Sequence, residues 1–151
     1  MKTYYLMISV VFLKTHPKAG QPTSFISKIF SQEKKHTIRG NYELWKKRID
    51  EVNEGKAVLD LRFWEGKPYD SKQQTFKTLK QGEVGVQKLQ KRNTVLVDNR
   101  FYVIDGDVKP NLNTATIAQN DGLGMFDFMD WFKGDFGVEP KAIIHFTEFR
   151  Y

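Results

Sequence analysis

The chain opens on Tyr4-Tyr5-Leu6-Met7-Ile8-Ser9-Val10-Val11-Phe12-Leu13, an aromatic and β-branched run that predicts a buried first strand. It is shorter than the roughly 20 apolar residues a membrane helix requires. The following Lys14-Thr15-His16-Pro17-Lys18 lacks the small-residue pattern of a cleaved leader. Pro17, Gly20 and Pro22 then predict a loop. From Phe25 the period changes, with Phe25, Ile26, Ile29 and Phe30 at helical spacing behind the capping residues Thr23-Ser24. Asn41 caps a second predicted helix whose inner stripe is Leu44, Trp45, Ile49 and Val52. Lys46, Lys47 and Arg48 project from its other side, and Gly55 ends it.

Past Lys56 the pattern becomes one of strands. Ala57, Leu59 and Leu61 alternate with Val58, Asp60 and Arg62 up to Trp64, and a turn at Glu65-Gly66-Lys67-Pro68 leads to a second strand over Tyr69 to Leu79. Gln81 to Asn93, rich in Gly, Gln and Lys, reads as irregular. Thr94 to Val97 and Arg100 to Ile104 are expected to pair as a hairpin across Asp98-Asn99, with a further turn at Asp105-Gly106-Asp107. A helical run carrying Phe126, Phe128, Met129, Trp131 and Phe132 is expected to end at Gly134 and Gly137. Ala142 to Tyr151 reads as a final strand in the middle of the sheet. There is no internal repeat or low-complexity tract, so residues 1–151 are expected to form a single domain.

Composition narrows the chemistry. The 151 residues are 40% hydrophobic and 14% aromatic, enough for one core without metal or disulfide support. Cysteine is absent, which removes thiolate nucleophiles, Cys-ligated zinc and disulfides and is compatible with a cytoplasmic location. The three His residues, His16, His36 and His145, lack ligand spacing, so no metal and no cofactor is expected. A net charge of +6 favours polyanionic partners such as RNA.

Two lysines, a threonine and an arginine crowd the short stretch Glu33-Lys34-Lys35-His36-Thr37-Ile38-Arg39-Gly40, between the two predicted helices. In an extended segment Lys35, Thr37 and Arg39 share one face and Lys34, His36 and Ile38 the other, while a Lys34 placed in the preceding turn swings toward Thr37. A hydroxyl beside an amine and a guanidinium makes an anion or nucleotide site, because Arg offers a planar fork of donors and Lys a mobile point charge.

The order Lys34-x-x-Thr37-x-Arg39 resembles the signature of the ASCH domain, a PUA-like family whose usual form is Gly-x-Lys-x-x-Thr-x-Arg. Gln32 stands where that signature has Gly, which implies a looser or differently made turn. A second stretch, Ala118-x-x-Asp121-Gly122-Leu123, looks like the acidic position ahead of the late helix in small ASCH-domain amidohydrolases that deacetylate N4-acetylcytidine. The resemblance implies an α+β, PUA-like fold with a mixed or mainly antiparallel β-barrel flanked by helices. By position it implies a catalytic trio of Lys34, Thr37 and Asp121, with Asp replacing the family's Glu. Lys35 and Arg39 become ligand-binding residues.

Three functions are compatible with these residues. One is binding of RNA or a modified nucleotide in a basic cleft extending toward Lys46, Lys47 and Lys67. Another is hydrolysis of an acylated nucleoside, which needs a nucleophile, a base and donors for the developing oxyanion. Thr37 fits the first role, Lys34 the second if burial lowers its pKa, and Arg39 or backbone amides the third. Asp121 then orients Lys34, protonates the leaving amine or handles protons through water; an acid beside Lys34 favours the ammonium and opposes the base role. The third function is a protein-interaction domain. No membrane partner is expected.

Overall fold

The computed structural model describes residues 1–93, 100–133 and 139–151. In chain order the elements are β1 (Lys2–Met7), α1 (Phe25–Phe30), β2 (His36–Arg39), α2 (Tyr42–Asn53), β3 (Ala57–Trp64) and β4 (Gln73–Leu79). They continue with β5 (Gly85–Asn93), β6 (Arg100–Ile104), β7 (Asp107–Lys109), α3 (Thr114–Asn120), α4 (Met125–Trp131) and β8 (Lys141–His145). The strands build two sheets, in the spatial orders β1-β3-β4 and β2-β8-β5-β6-β7. β1 runs parallel to β3, and the other ladders among the described residues are antiparallel.

The α+β character expected from the sequence is present, but the barrel is not: neither sheet closes. Side chains occupy the places where the two sheets meet. At the junction of β1 and β2, Met7 O accepts from the Arg39 guanidinium (2.7 Å). Where the chain crosses from β4 to β5, Asn53 at the end of α2 accepts from Gly82 N and donates to Val84 O, both at 3.0 Å. These side chains take up backbone groups at the junctions where no strand ladder crosses.

α2 binds the sheets together, packing on β3 of one and on β5 and β8 of the other. Asn41 caps it as expected, in the left-handed region at φ 57° with its side chain accepting from Leu44 N. Of the expected stripe, Trp45, Ile49 and Val52 are buried, whereas Leu44 in the first turn is exposed. They meet Leu59, Leu61, Leu89 and Ile143 in one apolar core. Each fully buried aliphatic side chain stabilises it by roughly 1.5–3 kcal/mol.

The segment read as irregular holds β5, the strand between β8 and β6. Its alternation is hidden because an inward position carries a polar residue. Gln87 is buried, its amide oxygen accepting from His145 Nε2 (3.0 Å) and Tyr151 N (2.9 Å) while its nitrogen donates to Tyr151 O (3.2 Å). β1 is shorter than expected, leaving Val11 in an isolated bridge to Pro22, and β4 begins only at Gln73. The turn at Asp105-Gly106 joins β6 to β7 with both residues at positive φ, as a tight hairpin requires. The expected strand over 94–97 with its turn at 98–99, and the helix stops Gly134 and Gly137, lie outside the described residues. The last strand sits mid-sheet as expected, although it ends at His145.

Candidate active site

The site forms where the turn after α1 and strand β2 meet the end of α3. Gln32, at the position of the signature Gly, makes the turn as a Gly would: its φ is +64°, and its N–H bonds back to Ile29 O (3.2 Å). The looser turn expected there is therefore not what forms. Lys34 N–H then reaches Lys28 O, and Lys35 N–H reaches Asn120 O (2.7 Å), tying the motif to α3 through backbone.

α3 ends in a Schellman motif, with Leu123 N–H bonded to Ala118 O and Gly122 N–H to Gln119 O. Gly122 takes φ +81°, and a Cβ on it would lie 3.0 Å from Lys34 Cβ. Asp121 is thus a helix C-cap. Two lysines take carbonyls beyond the helix: Lys34 Nζ donates to Asp121 O (2.6 Å) and Lys28 Nζ to Gly122 O (2.8 Å).

Lys34 is among the largest fully buried side chains of the described residues, 1% exposed. Its Nζ also contacts Asp121 Oδ1 (3.3 Å) and lies 4.1 Å from the centre of the Phe25 ring. Burial holds its pKa down to about 8; Asp121 pulls the other way, and Arg39 adds to the depression. Desolvation outweighs the carboxylate, which weakens the expected hold of the acidic neighbour on the ammonium without removing it.

Thr37 and Arg39 share the pocket face of β2. Arg39 donates to Thr37 Oγ1 (2.7 Å), to Ile38 O (2.9 Å) and to Met7 O. The hydroxyl oxygen thus accepts from a cation, which leaves its own proton available to a base. Lys34, Thr37, Arg39 and Asp121 line one pocket together with Ile8, Ser9, Phe25, Trp131 and Phe132. Its volume is about 10 Å³, near the room one water molecule occupies. Lys34 and Asp121 are thus in contact, and Thr37 lines the same pocket with its hydroxyl bonded to Arg39. Lys35 does not join them: it leaves the face expected for it and stands over Phe149, 5.1 Å from the ring centre.

The sequence pointed past His36, which is 0% exposed. Its Nδ1 lies 3.2 Å from Asp121 Oδ1 and its Nε2 2.6 Å from the Tyr151 hydroxyl, which also accepts from Asn120 Nδ2 (3.1 Å). Burial lowers the His36 pKa and raises that of Tyr151, so both are neutral near pH 7. The one available signal was His36 itself, a titratable residue placed between the motif positions Lys34 and Thr37.

Among the described residues no group of His, Asp and Glu is placed to hold a metal ion, and no helix is long and apolar enough to cross a membrane. The chain matches no family model, no curated protein and no solved structure.

Proposed function

We propose that the chain is a small amidohydrolase that removes a short acyl group from the exocyclic nitrogen of a nucleoside, N4-acetylcytidine being the reference substrate. The observation that carries this reading is the convergence of a depressed lysine, a threonine hydroxyl and a carboxylate on one pocket. Thr37 Oγ attacks the amide carbon while the neutral Lys34 amine takes its proton. The charge of Arg39 stabilises the developing oxyanion. The C–N bond breaks as Lys34 returns the proton to the leaving nitrogen, and water then hydrolyses the threonine ester to release the carboxylic acid. Asp121 holds the Lys34 amine through the cycle. Because the pocket has room for about one water, admitting the acyl group requires its lining, which includes the half-buried rings of Trp131 and Phe132, to open.

Hydrolysis fits the inward arrangement better than RNA binding through the same motif does, because Lys34 and Arg39 bond to protein groups where phosphate contacts would need them turned outward. The test is chromatography of N4-acetylcytidine incubated with wild type and with Lys34→Ala. Cytidine appearing with the first and falling at least about a hundredfold with the second supports the reading. Equal conversion by both, or none by wild type, refutes it.

A further inference from the structure

The buried string behind Asp121 has a single consistent proton arrangement. An ionised carboxylate only accepts, so the hydrogen between Asp121 Oδ1 and His36 belongs to Nδ1. Nε2 is then an acceptor and receives the Tyr151 hydroxyl proton, and the phenol oxygen in turn accepts from Asn120 Nδ2. Asn120 and Asp121 are neighbours, so the string runs from the end of α3 through Tyr151 and β2 and returns to α3. Gln87 fixes Tyr151 by accepting from its backbone N–H and donating to its backbone oxygen. His36 Nδ1 and Lys34 Nζ approach the same carboxylate oxygen, at 3.2 and 3.3 Å.

We propose that His36 and Tyr151 are positioning residues of this site: the phenol fixes the imidazole, and the imidazole takes a share of the Asp121 oxygen that Lys34 would otherwise hold alone. A lysine facing an undivided carboxylate is held as the ammonium and is a poor base. A neutral donor on that oxygen weakens the hold without adding charge. The charged and titratable groups facing Lys34 are Asp121 from the end of α3, His36 and Arg39 from β2, and Lys28 from α1. Those facing His36 are Asp121, Lys34, Tyr151 and the buried His145, whose ring lies 5.5 Å away edge-on. The use of this device for catalysis rests on the amidohydrolase reading; the device itself does not.

The test follows the Lys34 amine by NMR on the full chain with labelled lysine, alongside N4-acetylcytidine hydrolysis on the same samples. Asn at position 36 can place an amide nitrogen near the Nδ1 position, and Gln near the Nε2 position. His36→Asn is expected to titrate at Lys34 as wild type does. His36→Gln, which loses the donor to Asp121, is expected to raise the Lys34 midpoint by about one pH unit and lower the neutral-pH rate about tenfold. Equal midpoints in the two variants, or a fall in His36→Gln, overturn the proposal. Should His36→Gln fail to fold, the ring-nitrogen signals of wild type and Tyr151→Phe decide. The Nδ1–H tautomer in wild type, giving way in part to Nε2–H in Tyr151→Phe, supports the proposal; an Nε2–H tautomer or an imidazolium in wild type near pH 7 overturns it. A wild type that hydrolyses nothing while its Lys34 responds as described sinks the amidohydrolase reading and leaves the positioning intact.

Discussion

Burying Lys34 leaves a thermodynamic signature that needs no substrate. In the unfolded chain this lysine titrates near 10.4, an ordinary value, whereas in the folded protein burial brings it to about 8. Between these two values the unfolded state binds more protons than the folded one, so stability rises with pH across the window. For one group with these midpoints the gain between about pH 8 and pH 10 is on the order of 2 kcal/mol. Other groups leave the window clear: His36, also depressed by burial, costs stability only as pH falls through the ordinary histidine range, and Tyr151, raised by burial, opposes folding only above the ordinary tyrosine range. The assay is urea unfolding at intervals across the window, for wild type and Lys34→Met. Methionine fills much of the space against Phe25 and Gly122 without a titrating group. Wild type should gain the stated stability and the variant should not. A flat wild-type profile, or the same rise in both proteins, would refute the account of Lys34.

Two further expectations concern the backbone that carries the motif. Gln32→Gly should stabilise the protein by about 0.5–1 kcal/mol, since relief of a left-handed non-glycine residue exceeds the entropy glycine loses; a lower urea midpoint would contradict this. Gly122→Ala should destabilise by about 1–3 kcal/mol, because it combines positive φ with a Cβ pressed on the Lys34 stem, and it should depress hydrolysis beyond what the loss of folded protein explains. An alanine variant with wild-type stability and rate would show that this close approach is unimportant.

Local chemistry was the most legible part of the sequence. Asn41 announced α2, whereas Asp121, expected ahead of the late helix, instead closes the helix before it. Lys34, Thr37, Arg39 and Asp121 were found together because a short spacing rule brought the first three to one strand and its preceding turn. What failed depended on tertiary partners. Gln87 looks like a surface residue until His145 and Tyr151 supply its bonds, so β5 was missed. His36 was set aside because its partners are far away in the chain, at Asp121 and Tyr151. The barrel failed for a similar reason: Arg39 and Asn53 meet backbone groups at the sheet junctions, and no periodicity within a strand reveals that.

The most direct test of the site as a whole is the pH dependence of kcat/KM for N4-acetylcytidine. The account predicts a rate that climbs about tenfold per pH unit below about pH 8 and levels off above it, as the Lys34 amine loses its proton. A rate unchanged from about pH 6 to pH 10 would contradict a lysine base and with it the mechanism built on Lys34.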